Sequence, residues 1–224
     1  RLSSKTTTKV AQNKWTHIAA TYNSTLNKYE IYVNGTLDTS GTAVGTAPVS
    51  NTDSMYVGKR GFNVFPGMMD NIRIWNRNLF AIEIARNMRS SLSVNPSGSE
   101  YYSGMVYSIV FENSNTASGL TSVFDYTFSS NPVSNHNVAF LSMQNKQPEY
   151  QSWNEALAFD GIGDYAAVPQ AAGINVQGTF TAEAWVYLKA YNPGFNQIIL
   201  DKRNSNSGYW LSINNSKRLA VVIN

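Results

Sequence analysis

Asp160-Gly161-Ile162-Gly163-Asp164 sets two carboxylates into a glycine-containing turn, where backbone carbonyls can also face inward. Such a cage suits a hard cation, since calcium takes six to eight oxygens in flexible geometry. The same spacing also lets an aspartate cap a turn by accepting from nearby N–H groups. Other chemistry finds less support. Glycoside hydrolysis needs two carboxylates across one bond, and no Glu-x-Asp-x-Glu strand occurs. Without cysteine, thiolate chemistry and disulfides are excluded. The two histidines, His17 and His136, are unaccompanied by a nucleophile elbow, a phosphate loop or a dinucleotide fingerprint. His17 falls inside an apolar strand pattern and reads as structural. The catalytic set is therefore expected to be empty.

Aromatic side chains are the second chemical resource, because they stack on pyranose rings while Asn and Asp take the hydroxyls. Most aromatics here sit in strand patterns. The loop-like runs Tyr191-Asn192-Pro193-Gly194-Phe195 and Gly61-Phe62-Asn63-Val64-Phe65 are the better candidates, since rigid β scaffolds place binding residues on loops. Tyr191, Phe195, Phe62 and Phe65, with Trp210 on a nearby strand, form the expected sugar or partner contacts.

The elements that must position these residues are mainly strands. Thr16–Tyr22 and Tyr29–Val33 flank a polar loop, and Asn34-Gly35 is a strong hairpin turn. Met55–Lys59 and Met69–Trp75 follow, the second alternating Met69, Asn71, Arg73 against Asp70, Ile72, Ile74. Phe180, Ala182, Ala184, Val186 and Leu188 alternate with Thr181, Glu183, Trp185 and Tyr187, as in a strand buried inside a sandwich. Further candidates are Tyr101–Phe111, Val123–Phe128 and Val138–Met143, in a Ser/Asn/Gly-punctuated middle. One helix is expected over Phe80–Met88, with Ile82, Ala85 and Met88 on its docking face.

Composition bounds the partners. The 224 residues carry only 14% charged side chains and a net charge of +3. Their basic residues cluster no further than pairs such as Lys59-Arg60 and Lys202-Arg203, which reads as a solvated face rather than a nucleic-acid groove. There is no apolar run of 18 residues, so no membrane-spanning segment is expected. The polar, uncharged surface fits a secreted or cell-surface protein. Asn23, Asn34 and Asn214 begin glycosylation-type triplets of the kind that arise by chance in an Asn-rich chain.

Two runs then carry a family resemblance. Lys14-Trp15-Thr16-His17-Ile18-Ala19, Ile31-Tyr32-Val33-Asn34-Gly35 and Asp70-Asn71-Ile72-Arg73-Ile74-Trp75-Asn76-Arg77 resemble the closing half of a laminin-G-like domain of concanavalin A type. Ala156-Leu157-Ala158-Phe159-Asp160-Gly161 and Phe180-Thr181-Ala182-Glu183-Ala184-Trp185-Val186 resemble its opening half. The resemblance implies an all-β, antiparallel two-sheet jelly-roll sandwich, with one short helix and a small extra β segment. The halves stand in reversed order: residues 1–90 close a sandwich, 91–154 connect, and 155–224 open one. Arg1–Val10 follow naturally from Leu219–Asn224, as in a repeat cut mid-domain or a circular permutant.

The resemblance also implies a structural calcium at the Asp160 turn, joined by an acid of the closing strand that by position is Asp70, with Asp164 as a third ligand. Family function varies widely on this sandwich. The expectation is a non-catalytic adhesion or structural module of an extracellular, repetitive surface protein, bound to neighbouring copies or surface glycans. The alternative is a carbohydrate-binding module accessory to a secreted glycan-active enzyme.

Overall fold

The computed structural model describes residues 2–43, 48, 50–90, 103–109, 133–142, 155–171, 174–204 and 207–224. The strand candidate at Val123–Phe128 lies outside them. In chain order the strands are β1 (Leu2–Lys9), β2 (Trp15–Asn23), β3 (Lys28–Val33), β4 (Thr36–Thr42), β5 (Met55–Val57), β6 (Lys59–Arg60), β7 (Asn63–Val64) and β8 (Pro66–Trp75). Helix α1 (Ala81–Asn87) comes next. Then follow β9 (Met105–Ile109), β10 (Ser134–His136), β11 (Ala139–Ser142), β12 (Glu155–Asp160), β13 (Tyr165–Val168), β14 (Phe180–Leu188), β15 (Gln197–Arg203), β16 (Gly208–Ile213) and β17 (Arg218–Ile223).

Two antiparallel sheets form the sandwich. One runs β1-β17-β16-β15-β5-β13-β10, and the other runs β11-β12-β8-β14-β2-β3-β4 with β9 also paired to β8. Both halves of the chain contribute strands to both sheets, so one sandwich closes within one chain. At the seam, β1 pairs with β17 from Leu2↔Ile223 onward. The described middle residues add β10 to one sheet edge, β11 to the other, and β9 beside β8.

Local chemistry fixes the connections. Asn34 and Gly35 both take positive φ, 50° and 74°, which is the two-residue hairpin turn whose twist matches its strands. Asp38 on β4 accepts from the Thr7 and Thr8 N–H groups of β1 at 2.6 and 2.9 Å, joining an edge of one sheet to an edge of the other.

The core lies between the sheets. Phe180, Ala182, Ala184, Val186 and Leu188 all face it from β14, as their alternation predicts. Strand β8 departs from simple alternation. Asp70 opposes Trp185 while Arg73 opposes Glu183, so three steps on β8 match two on β14. Asn71 absorbs the extra residue at φ 50°, and the Asp70 carboxylate holds this bulge by accepting from the Asn71 N–H at 2.7 Å. Met69, Ile72 and Ile74 consequently share the core face. The expected grouping of Met69 with Asn71 and Arg73 is thus corrected by one bulged residue.

The outer face of the β8–β14–β2 sheet is covered by α1. Ala19, Tyr32, Trp75, Leu79 and Ile84 pack together there, while Trp15, Met88, Ala156 and Trp185 form a neighbouring group. Met88 is buried as expected, but Ile84 rather than the 74% exposed Ile82 is the isoleucine that docks. Beneath the helix, Arg73 donates to Glu183 at 3.0 Å and to the Asn87 and Ser90 carbonyls. His17 Nε2 stands 3.6 Å from the same glutamate. His17 is a buried structural residue, as expected from its strand position.

Candidate functional site

The opposite outer face, on the seven-stranded sheet, is built differently. A bulge between Ile198 and Leu200 resets β15 so that Leu200 faces the core opposite Leu211, and Asp201 turns outward opposite Trp210. Asp201 also pairs with Tyr56 of β5. Trp210, Asp201 and Tyr56 therefore stand in one row across three strands, about 4.8 Å apart.

Two guanidinium groups lie over this row. Arg203 donates its Nε–H to Asp201 Oδ2 at 2.7 Å and rests 3.6 Å above the Trp210 ring centroid. Arg60 donates through Nη2 to Asp53 Oδ2 at 3.0 Å and to the Arg203 carbonyl at 2.9 Å, with its guanidinium 4.7 Å from the Tyr56 ring. Behind them Lys202 is buried, its amino group donating to the Asn51 and Asp53 carbonyls and to Asn51 Oδ1. Burial lowers the Lys202 pKa, against the pull of Asp53. Burial likewise raises the Asp201 carboxyl above its ordinary value, outweighing Arg203 and Arg60. Asp201 is 0% exposed, and its Oδ1 has no hydrogen-bond partner.

Beside Arg60 a cleft of about 640 Å³ opens, lined by Thr52, Asp53, Ser54, Tyr56, Lys59, Arg60 and Tyr165 among others. Its aromatic wall is Tyr56 and Tyr165, tilted to each other at 5.9 Å, and His136 stacks on Tyr165 at 4.1 Å from outside the lining. A second hollow of about 540 Å³ includes Trp210, Asn196, Ser212, Asn214 and Lys5 in its lining. Pockets of this size accommodate a few sugar units.

The residues expected from the sequence distribute unevenly. Phe62 is 85% exposed at the β6–β7 hairpin tip and Phe195 is 43% exposed. Their loops are joined where the Asn196 N–H donates to Asn63 Oδ1 at 3.0 Å. Tyr191 is half-buried, donating its hydroxyl to the Asn214 carbonyl under the Lys217 amino group. Phe65 is no surface contact: it is fully buried and packs edge-on against Phe159 at 6.2 Å. Trp210 is only 5% exposed, beneath Arg203, so it offers no bare ring.

Asp160 and Asp164 do meet, but around N–H groups. Asp160 Oδ1 accepts from Ile162, Gly163 and Asp164, and the Asp160 N–H donates to Asp164 Oδ2 at 2.8 Å. Burial would raise the Asp160 pKa, and those backbone donors reverse it to a net lowering. The Asp164 pKa is raised by burial and by the charge of Asp160. Asp70 does not join them. Asp160 pairs with Pro66, four residues along β8 from Asp70, or about 13 Å. Among the described residues, no three His, Cys, Asp or Glu side chains are grouped to hold a metal ion.

Tyr56, Tyr165, His136, Asp53 and Asp201 were not anticipated as site residues. The available signal was the two basic pairs, Lys59-Arg60 and Lys202-Arg203, which the fold brings together. They are not a uniformly solvated face, since Lys202 is buried. Among the described residues no helix is long and apolar enough to cross a membrane.

Comparison with known proteins agrees with this architecture. Residues 3–85 match the Laminin_G_3 family, described as concanavalin A-like lectin/glucanases superfamily. No curated protein and no solved structure matches the chain. The matched segment supplies β1–β8 and most of α1, and its strands interleave with those of the second half in both sheets. Residues 3–85 are thus similar to a laminin-G-like model of the concanavalin A-like lectin/glucanase superfamily, and the two antiparallel sheets are consistent with its jelly-roll sandwich.

Proposed function

We propose that this chain is a non-catalytic, lectin-like module of a secreted or surface-attached protein, holding a glycan on the outer face of the seven-stranded sheet. The observation that carries this is the cleft beside Arg60, where the Tyr56 and Tyr165 rings meet the polar side chains of Thr52, Asp53 and Ser54. Stacking surface beside directional hydrogen-bonding groups is the combination a sugar ring requires. Binding without hydrolysis is supported by the state of the carboxylates. Asp53 and Asp201 are each engaged by a guanidinium, and Asp201 is closed to solvent.

A glycan array probed with the 224-residue chain tests this, with Tyr56→Ala and Tyr165→Ala as variants. Binding that both variants abolish, with intact thermal unfolding and no released reducing ends, supports the proposal. Binding that survives both variants, or cleavage of the bound glycan, overturns it.

A second reading, adhesion between copies, is favoured by one observation: the exposed Phe62 and Phe195 sit on loops joined to each other. Concentration-dependent association in light scattering, lost on Phe62→Ser, supports that reading; a monomer at every concentration excludes it.

A further inference from the structure

Which sugars the face selects is decided by its two guanidinium groups. A ring that stacks on a neutral pyranose must show it a bare face. Trp210 shows none, because Arg203 lies 3.6 Å over its centroid. Tyr56 still lines the cleft, but Arg60 lies 4.7 Å from its centroid, so a sugar on that ring also meets a guanidinium. Along the Trp210–Asp201–Tyr56 row, the sheet therefore presents guanidinium edges outward.

Both forks are held in place before any ligand arrives. Arg203 is fixed by the Asp201 carboxylate and the indole, and Arg60 by Asp53 and the Arg203 carbonyl. Among the described residues, Arg203 donates only through Nε and Arg60 only through Nη2. A planar fork already immobilised loses little freedom on binding, and its spacing matches the oxygens of a carboxylate or sulfate. Lys59, whose amino group lies 5.7 Å from the Tyr165 ring, lines the cleft together with Arg60, while Arg203 stands beside it on β15. Of the opposing charges, Asp201 is buried with Oδ2 turned to Arg203, Asp53 is held by Arg60, and Asp160 and Asp164 face Lys59 rather than the two guanidinium groups.

The geometry points to an acidic saccharide, one carrying a carboxylate or sulfate group, as the ligand of this face, gripped by Arg203 and Arg60 with Lys59 beside them. This rests on the glycan-binding role proposed above and names the ligand class. Asp201 is a positioning residue, which touches the ligand only through the guanidinium it aims.

The test is calorimetric titration of the intact chain with three probes of equal length: an oligogalacturonate, a sulfated galacto-oligosaccharide and a neutral galacto-oligosaccharide. An acidic probe is expected to bind about tenfold or more tighter than the neutral one, the scale of one charge-assisted hydrogen-bonding group. The carboxylate and sulfate arms then tell which acid is preferred. Arg203→Ala and Arg60→Ala each lose about that factor, and Arg203→Lys, which keeps the charge but not the fork, fails to restore it. Lys28→Gln, on the other sheet, removes the same charge without effect.

Asp201→Asn separates aim from charge. It makes the protein more positive, yet it weakens acidic binding if Arg203 must be held. Thermal unfolding of each variant confirms that it is folded. Equal affinity for neutral and acidic probes overturns this inference and leaves the glycan-binding role standing. Tighter acidic binding by Asp201→Asn also overturns it, since charge alone would then act. Binding of no probe, acidic or neutral, overturns it as well; failure on a full glycan array is what would remove the glycan-binding role.

Discussion

The two outer faces of the sandwich carry similar ion networks put to opposite use. Under α1, Arg73, Glu183 and His17 are sealed from water, with Asn71, Asn87 and Ser90 accepting from the terminal guanidinium nitrogens alongside Glu183. On the seven-stranded sheet, Arg203 and Arg60 keep a quarter or more of their side-chain surface exposed above buried Asp201 and Lys202. The first network is closed by a helix, and its geometry specifies how that helix docks. The second is closed by nothing in the described chain, and its aromatic supports hold the charges at an opening. The buried cluster fixes structure, whereas the braced, half-open cluster is the one the proposed glycan role uses.

The comparison breaks first if Glu183 proves dispensable. Glu183→Ala leaves Arg73 uncompensated under α1 and should cost about 3–5 kcal/mol in urea unfolding. A loss under about 1 kcal/mol would mean that water already reaches the cluster. Phe65→Ala should cost a similar 3–5 kcal/mol through the cavity it leaves against Phe159, while Phe62→Ala stays within about 0.5 kcal/mol. On the open face, Arg203→Ala should change stability by no more than about 1 kcal/mol, because its partners regain water.

Titration sharpens the contrast further. Burial, against the pull of Arg203 and Arg60, holds the Asp201 carboxyl above 3.8. Between 3.8 and that raised value the folded chain keeps a proton that the unfolded chain has lost. Stability from this group therefore falls as pH rises through the window, and Asp201→Asn should remove the fall. Asp38 has the opposite sign. Burial would raise it, but hydrogen bonds from Thr39 and the Thr7 and Thr8 backbone bring it down to about 2. Its contribution is present above 3.8 and lost as pH falls toward about 2. The smallest effect expected is none: calcium or chelator should leave the melting temperature unchanged, because N–H donors already occupy Asp160. A calcium-dependent rise would restore the cation cage.

Local signals made much of this fold legible. The Asn34-Gly35 turn, the alternation of β14 and the two family-like runs each act through neighbours in sequence. The bulge at Asn71 was hidden, because one extra residue reverses a strand's faces and only the tolerance of Asn for positive φ hints at it. Phe65 follows loop-like residues, yet it turns inward at the start of β8 to fill space beside Phe159. The site was the least legible part, since Arg60 meets the Arg203 carbonyl across 143 residues. Two ordinary basic pairs become a device only when β15 and β5 are adjacent. Trp210 was anticipated as a contact for its ring, but the fold uses that ring to support an arginine.

Amide shift mapping during titration with a bound glycan measures the central claim most directly. The account predicts perturbations grouped at Asp53–Gly61, Tyr165 and Asp201–Arg203, with the α1 face silent. Perturbations confined to α1 and the Trp185 region, or to the Tyr191–Phe195 loop alone, would contradict it.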